Sequence, residues 1–166
     1  MKNKILPVIL IIFLIGIVSI SGCIQSDASG INGLSSTITN HLKNGDSYYN
    51  TAVTSTNRYS MDTASSNADS ALSEFNSAKT SAQSALSYAQ NSKDSVFTGY
   101  MQNLIMSIDA RINATSQLQQ AITYFKQKDS KNGNSHATLA NNYIDRSIQY
   151  ETANTKLVKQ NPSKFK

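Results

Sequence analysis

Residues 61–91, MDTASSNADSALSEFNSAKTSAQSALSYAQN, decide the fold class. In this stretch small or apolar residues recur at alternating spacings of three and four: Met61, Ala64, Ala68, Ala71, Phe75, Ala78, Ala82, Ala85 and Ala89. The spacing is a heptad seam sustained for about four heptads, and it predicts an amphipathic helix that packs against another helix. Because most of the seam is alanine, we expect the neighbouring helix to approach closely.

Weaker seams on either side of this stretch predict three further long helices. One precedes residue 61 and ends at a turn just before it. The other two follow residue 91 and cover 96–128 and 135–160. In the last of these the seam is formed by five residues: Leu139, Tyr143, Tyr150, Ala153 and Leu157. Helices of near-equal length joined by short turns predict an all-α fold, an antiparallel four-helix bundle with long, Ala- and Ser-rich helices over residues 31–160.

The turn that precedes the helix at 61–91 has two candidate positions. The tripeptide NGD at 44–46 has the composition of a turn, and a break there would leave three helices and a short extra one. The seam, however, changes phase between Tyr59 and Met61. We therefore expect the turn at 58–62, with 44–46 as the alternative.

The first 23 residues have the organisation of an export signal. A short basic start is followed by an apolar stretch and by small residues before the only cysteine. The tetrapeptide ISGC at 20–23 resembles the lipobox of prokaryotic membrane lipoproteins, and the Ile-rich apolar stretch is similar to those of methanogen archaeal lipoproteins. The resemblance implies a signal peptide over 1–22, cleavage between Gly22 and Cys23, and a lipid on the Cys23 sulfur.

This resemblance also implies where the protein is located. A lipid on Cys23 would hold the chain on the extracytoplasmic face of the cell membrane, with the membrane itself as a partner. An uncleaved, membrane-spanning signal anchor is the alternative, and it places the following residues on the same side. We expect 23–30 to be a flexible tether and 161–166 to be a basic C-terminal tail, whose lysines lie close to anionic lipid headgroups.

The composition excludes several classes of protein and site. Ser, Thr, Asn and Gln make up 62 of the 144 residues that follow residue 22. One Cys and two His argue against a metal site, and no acid–base pair or phosphate-binding loop is visible. The formal net charge of +5 is dispersed along an exported chain, which argues against nucleic acid as a partner. We therefore expect no enzymatic activity and no cofactor.

Three groups of residues are candidates for binding or modification. Arg111 and Arg146 occupy seam positions, where an arginine must reach water, pair with an acid such as Asp62 or Asp69, or bind an anion. An anion or ligand pocket would use four residues: Arg111, Arg146, Tyr143 and Tyr150. A partner-binding tip at the membrane-distal end would use five: Arg58, Tyr59, Lys126, Lys128 and Lys131. Asn113 begins the sequon NAT and is a candidate glycosylation site.

Together these features predict a non-enzymatic, lipid-anchored cell-surface helical bundle that binds an envelope or extracellular partner, either a protein or a glycan. The alternative is a small-molecule-binding or sensory ectodomain with a pocket between helices near Arg111 and Arg146. A solvent-reachable cluster of the predicted ligand residues favours the alternative, and a fully packed seam counts against it.

Overall fold

The structure, a computed structural model, describes residues 28–165. Four long α-helices make up almost all of this range. They are α1 (Ala28–Asn57), α2 (Met61–Asn91), α3 (Ser95–Lys126) and α4 (Ser130–Gln160), followed by a short 3₁₀ helix at Pro162–Lys164. Residues 28–165 contain no strand, so the predicted all-helical fold of four packed helices is confirmed. The predicted signal peptide, its cleavage site after Gly22, and Cys23 lie outside the described residues.

Three-residue turns join the successive helices. Each turn contains one non-glycine residue in the left-handed region: Tyr59 (φ 60°), Lys93 (φ 54°) and Lys128 (φ 61°). Asp94 and Asp129, the last residues of the second and third turns, accept hydrogen bonds from backbone N–H groups at the start of the next helix. Such side-chain acceptors satisfy donors that have no partner within the helix. The local sequence therefore stops and restarts the helix at each turn.

The two glycines that resemble turn residues serve helix packing instead. The first turn lies at 58–60, as the seam phase predicts, and α1 continues without a break through 44–46. A β-carbon on Gly45 would lie 2.5 Å from Phe75 Cε1. The prediction that the fourth helix begins at 135 is wrong, because α4 begins at Ser130 and includes Gly133, where a β-carbon would lie 2.5 Å from Phe125 Cε1. Each glycine makes room for a phenylalanine of the facing helix.

Polar pairs between α2 and α3 define the direction of these two helices. The pairs are Asp62 with Lys126 at 2.9 Å, Asp69 with Gln119 at 2.7 Å, and Lys79 with Asp109 at 2.7 Å. Residue numbers rise along α2 as they fall along α3, so the two helices run in opposite directions. The other short turns reverse the chain in the same way.

The alanine seam of α2 is buried, as predicted. Its seven alanines and Phe75 are 0–2% exposed. Because these side chains are small, α1 and α3 approach α2 closely. The remaining side of the bundle is wider: within the described residues, no Cα atom of α1 lies within 8 Å of a Cα atom of α4. Long side chains must therefore fill the space between α1 and α4.

The predicted seam of α4 is wrong. Leu139 is 44% exposed and Ala153 is also exposed. The buried positions of α4 are instead Gly133, Ala137, Ala140, Ile144, Ser147 and Asn154. The prediction followed the large apolar side chains, whereas small residues of α4 face the large buried side chains of α3, such as Phe125. Tyr143 and Tyr150 lie half-buried at the edge of this interface.

The C-terminal segment packs on the start of α3. The ring of Phe165 is buried, and its centroid lies 5.1 Å from that of Phe97 and 5.3 Å from that of Tyr100. Lys164 forms an ion pair with Asp94 in the turn between α2 and α3. The last described residues are thus fixed at the end of the bundle where α1 begins. No helix among the described residues has the length and hydropathy that crossing a membrane requires.

Candidate functional site

Arg111 lies in the wide side of the bundle, between α1 and α4. It belongs to α3 and is 1% exposed. Its Nε donates a hydrogen bond to Asp46 Oδ1 of α1 at 3.1 Å, and its Nη2 donates one to Glu151 Oε1 of α4. Ser107 accepts a hydrogen bond from Arg111 Nη1 and donates one to Glu151 Oε1 at 3.2 Å. These four residues, the Arg111 cluster, connect three helices through one guanidinium group.

The Arg111 cluster holds two carboxyl groups for one cation. Burial raises the pKa of Asp46 to about 6, with Arg111 acting against the rise and Glu151 adding to it. Asp46 Oδ2 has no hydrogen-bond partner within the described residues, and the same is true of Ser147 Oγ and Asn154 Oδ1 on α4. A buried polar atom without a partner costs about 1–3 kcal/mol. The interior of the bundle therefore combines stabilising ion pairs with destabilising polar burial.

Arg111 pairs with acids, but not with the two that the sequence analysis names. Asp62 binds Lys126, and Asp69 accepts a hydrogen bond from Gln119. Asp46 is not among the predicted partners, because it belongs to the tripeptide NGD at 44–46, which has the composition of a turn. A charge at a seam position indicates that water, an acid or an anion must lie within reach, but the sequence does not reveal that the partners of Arg111 are Asp46 and Glu151.

A groove runs along the outer side of α3 and α4. Seven residues line this α3–α4 groove: Met106, Asp109, Ala110, Asn113, Tyr143, Arg146 and Tyr150. The groove is open to solvent and has a volume of about 160 Å³. The structure thus brings together three of the four predicted ligand residues and places the fourth, Arg111, in the core.

The charge of Arg146 is available to a ligand. Its guanidinium carbon lies 6.0 Å from the centroid of the Tyr143 ring, within the range of a cation–π contact. Asp109, the one acidic residue that lines the groove, has its Oδ1 engaged by Lys79 at 2.7 Å. Arg146 therefore keeps an exposed guanidinium that is oriented by an aromatic ring and has no carboxylate paired with it among the described residues.

The lining of the α3–α4 groove suits binding. Tyr143 and Tyr150 offer aromatic surface, Met106 is 39% exposed, and the exposed Asn113 adds an amide. Aromatic side chains combine apolar faces with a polar edge, which suits partly hydrated ligands. No His, Cys or Ser is among the residues that line the groove.

A histidine–tyrosine stack lies between α3 and α4, nearer than the groove to the turn that joins them. The rings of His136 and Tyr124 are stacked, with centroids 5.2 Å apart and an interplanar angle of 13°. His136 Nδ1 also lies 2.7 Å from Gln117 Oε1, within hydrogen-bond distance. The other histidine, His41, lies 2.6 Å from Glu74 Oε2 in the contact between α1 and α2. The sequence alone predicts no specific partner for either histidine.

The sequon residue Asn113 is exposed in the α3–α4 groove. Thr115, the third residue of the sequon, is fully buried, and its hydroxyl donates a hydrogen bond to the Arg111 carbonyl at 2.8 Å. An enzyme could therefore read this sequon only before α3 is folded. A glycan attached to Asn113 would lie in the groove itself.

The five residues of the predicted tip are all exposed, and they lie in or next to the first and third turns. The ion pair of Lys126 with Asp62 brings these two turns to the same end of the bundle. That pair also partly neutralises Lys126, so Arg58, Lys128 and Lys131 are the main cationic groups of this surface. The tip projects from the bundle and is a second surface open to a partner.

No protein-family model matches the chain, and neither a curated protein nor a solved structure matches it. The function is therefore inferred from the α3–α4 groove, the tip and the N-terminal sequence.

Proposed function

We propose that this protein is a non-enzymatic binding protein, held on the extracytoplasmic face of the cell membrane by a lipid on Cys23. Its helical bundle presents the α3–α4 groove to an envelope or extracellular partner. One observation carries the proposal: Tyr143, Arg146 and Tyr150 line the same solvent-open groove as Asn113.

The groove supports binding because it combines apolar surface, hydrogen-bonding groups and a charge. Tyr143 and Tyr150 offer apolar area, Asn113 offers a donor and an acceptor, and Arg146 offers a charge that no carboxylate neutralises among the described residues. Sites that bind partners specifically combine apolar lining with a few placed polar groups. Tyrosine and arginine are also the residues that contribute most often to binding energy at interfaces.

The predicted alternative, a small-molecule or sensory ectodomain, is supported only in part. The groove forms at Arg146 as the alternative requires, but Arg111 is buried with Asp46 and Glu151 and does not line it. Its volume of about 160 Å³ is below the range of roughly 300–1,000 Å³ that is common for enclosed ligand sites. An extended partner that lies along the groove fits this shape better than an enclosed small molecule.

Site-directed photo-crosslinking in the membranes of its own cells tests the proposal. A photoreactive benzophenone amino acid is placed at position 106 in the groove, at position 59 in the tip, and at position 88 on α2 as a matched exposed control. We expect an adduct from position 106 that Tyr143→Ala abolishes. Adducts only from position 59 would assign binding to the tip, and equal adducts from all three positions would contradict a specific surface.

The lipid anchor is tested separately, by the mass of the mature protein. We expect a chain that starts at a lipid-modified Cys23, and we expect Cys23→Ser to release the protein or leave the precursor uncut. An unchanged mature mass in Cys23→Ser would contradict the lipobox assignment, without bearing on the groove.

A further inference from the structure

Three rings follow one flank of α4 at regular intervals. His136, Tyr143 and Tyr150 are seven residues apart in sequence, which places them on one side of the helix about 10.5 Å apart. Tyr143 and Tyr150 line the α3–α4 groove, and His136 extends the row through its stack with Tyr124. The three rings form an aromatic strip of about 21 Å along α4. The half of this strip between Tyr143 and Tyr150 lines the groove. The interval corresponds to about two linked sugar rings.

Polar groups lie between and beside these rings. The exposed amide of Asn113 offers a donor and an acceptor, and the second carboxyl oxygen of Asp109 is left as an acceptor while Lys79 binds the first. Gln117 uses its carbonyl oxygen toward His136, which leaves its amide N–H groups as donors. Sugar hydroxyl groups both donate and accept hydrogen bonds, so they need this mixture of partners.

A single positive charge accompanies the strip. Arg146 lies between Tyr143 and Tyr150 in sequence, with its guanidinium carbon 6.0 Å from the Tyr143 ring centroid. A planar guanidinium suits a carboxylate, which it can bind through two parallel hydrogen bonds. A polyphosphate backbone would be expected to meet many cations, but Arg146 is the one cationic residue among those that line the groove.

From this arrangement we infer that the α3–α4 groove binds an acidic oligosaccharide, whose sugar rings stack on Tyr143 and Tyr150 and whose carboxylate pairs with Arg146. This inference rests on the proposed function and names its ligand class. After the proposed cleavage the chain keeps 13 Lys and Arg against 10 Asp and Glu, a formal net charge of +3 that favours an anionic ligand.

Binding of the full-length mature protein in detergent to two matched probes tests the inference. The probes are a size-defined oligogalacturonate and the same oligosaccharide with its carboxyl groups methyl-esterified. We expect the acidic probe to bind about tenfold or more tightly than the ester, since a hydrogen bond to a charged group is lost on esterification. Equal affinity for the two probes would overturn the role of the carboxylate.

Matched variants assign the two parts of the site. Arg146→Gln should remove the preference for the acidic probe, whereas Arg58→Gln at the tip should preserve that preference. Tyr143→Ala should weaken both probes, whereas Tyr88→Ala on α2 should weaken neither. If Arg58→Gln at the tip reduced the preference for the acidic probe as much as Arg146→Gln in the groove, the assigned site would be wrong. If neither probe binds while position 106 still forms its specific crosslink, the ligand class is wrong and the proposed function stands.

Discussion

Arg111 on α3 binds Asp46 on α1, with Arg111 Nε 3.1 Å from Asp46 Oδ1, and the same guanidinium also binds Glu151 on α4. The bond to Asp46 spans 65 positions of sequence. Together the two bonds connect α1 with α4, which have no Cα atoms within 8 Å of each other among the described residues. The alanine seam positions α2 close to its neighbours, and the Arg111 cluster holds α1 and α4 in place from within.

Removal of the guanidinium should destabilise the bundle strongly. Arg111→Met leaves Asp46 and Glu151 without their cation, and the loss of one partner from a buried ion pair costs about 3–5 kcal/mol. Chemical denaturation measures this loss, with Arg146→Met in the groove as the control that should change stability by less than about 1 kcal/mol. The double variant Arg111→Met/Asp46→Leu should recover part of the loss. A destabilisation of Arg111→Met no larger than that of Arg146→Met would contradict a central role for the cluster.

The raised pKa of Asp46 should make stability depend on pH. Since the pKa is about 6 in the folded chain and about 3.9 in the unfolded chain, the folded state holds the proton more tightly between these values. The free energy of unfolding should then fall by about 2 kcal/mol as the pH rises from about 4 to about 7. Arg111 and Glu151 are the charged groups that face Asp46.

Asp46→Asn isolates that contribution, because the difference between its pH profile and that of the wild type belongs to Asp46. The lowered pKa values of Asp62, Asp94 and Asp129 act in the opposite direction. Their contribution is lost as the pH falls below about 4, outside this window. A wild-type profile parallel to that of Asp46→Asn between pH 4 and pH 7 would show that Asp46 titrates normally.

Two buried serines should respond oppositely to alanine. Ser147 Oγ has no hydrogen-bond partner within the described residues, and alanine has the higher helix propensity, so Ser147→Ala should stabilise the protein by about 0.5–2 kcal/mol. Ser107 bonds both Arg111 and Glu151, so Ser107→Ala should destabilise it by about 1–3 kcal/mol. Thermal unfolding of the two variants measures this contrast. Melting temperatures that shift in the same direction in both variants would refute it.

Glycine-to-alanine substitutions should separate packing from backbone effects. Gly45→Ala and Gly133→Ala place a β-carbon 2.5 Å from a phenylalanine ring and should each cost about 1–3 kcal/mol. Gly33→Ala is the matched control, since nothing lies within 4 Å of its β-carbon. This control should stabilise α1 by about 0.5–1 kcal/mol, because alanine favours the helix. Equal effects at the three glycines would mean that the two rings do not press on the helix backbones.

Much of the fold follows from the sequence because the α2 seam is regular. Seven alanines and Phe75 at spacings of three and four leave one helical face that can be buried, and the phase change before Met61 marks the turn. The seam of α4 could not be found in this way. Its buried face consists mostly of small or polar residues such as Ala137 and Ser147, together with Ile144, whereas the large apolar residues Leu139 and Ile148 are exposed.

The candidate site could be predicted only for residues that lie on the same flank of one helix. Tyr143, Arg146 and Tyr150 share a flank of one helix, so their spacing predicts that they meet in the groove. Arg111 occupies an equivalent seam position on α3, but the relative rotation of α3 and α4 turns it inward to Asp46 and Glu151. That rotation depends on how whole helices pack, which the spacing within one helix does not contain.

Cysteine labelling on intact cells tests most directly whether the α3–α4 groove is the binding surface. Because the chain has one natural cysteine, Cys23, the single variants Met106→Cys, Tyr59→Cys and Tyr88→Cys report on the groove, the tip and α2. The rate of reaction with a membrane-impermeant maleimide is measured on cells and on the isolated protein. We expect position 106 to react several-fold more slowly on cells, with positions 59 and 88 unchanged. Full reactivity at position 106 on cells, with protection at position 59, would contradict the groove and assign the partner to the tip.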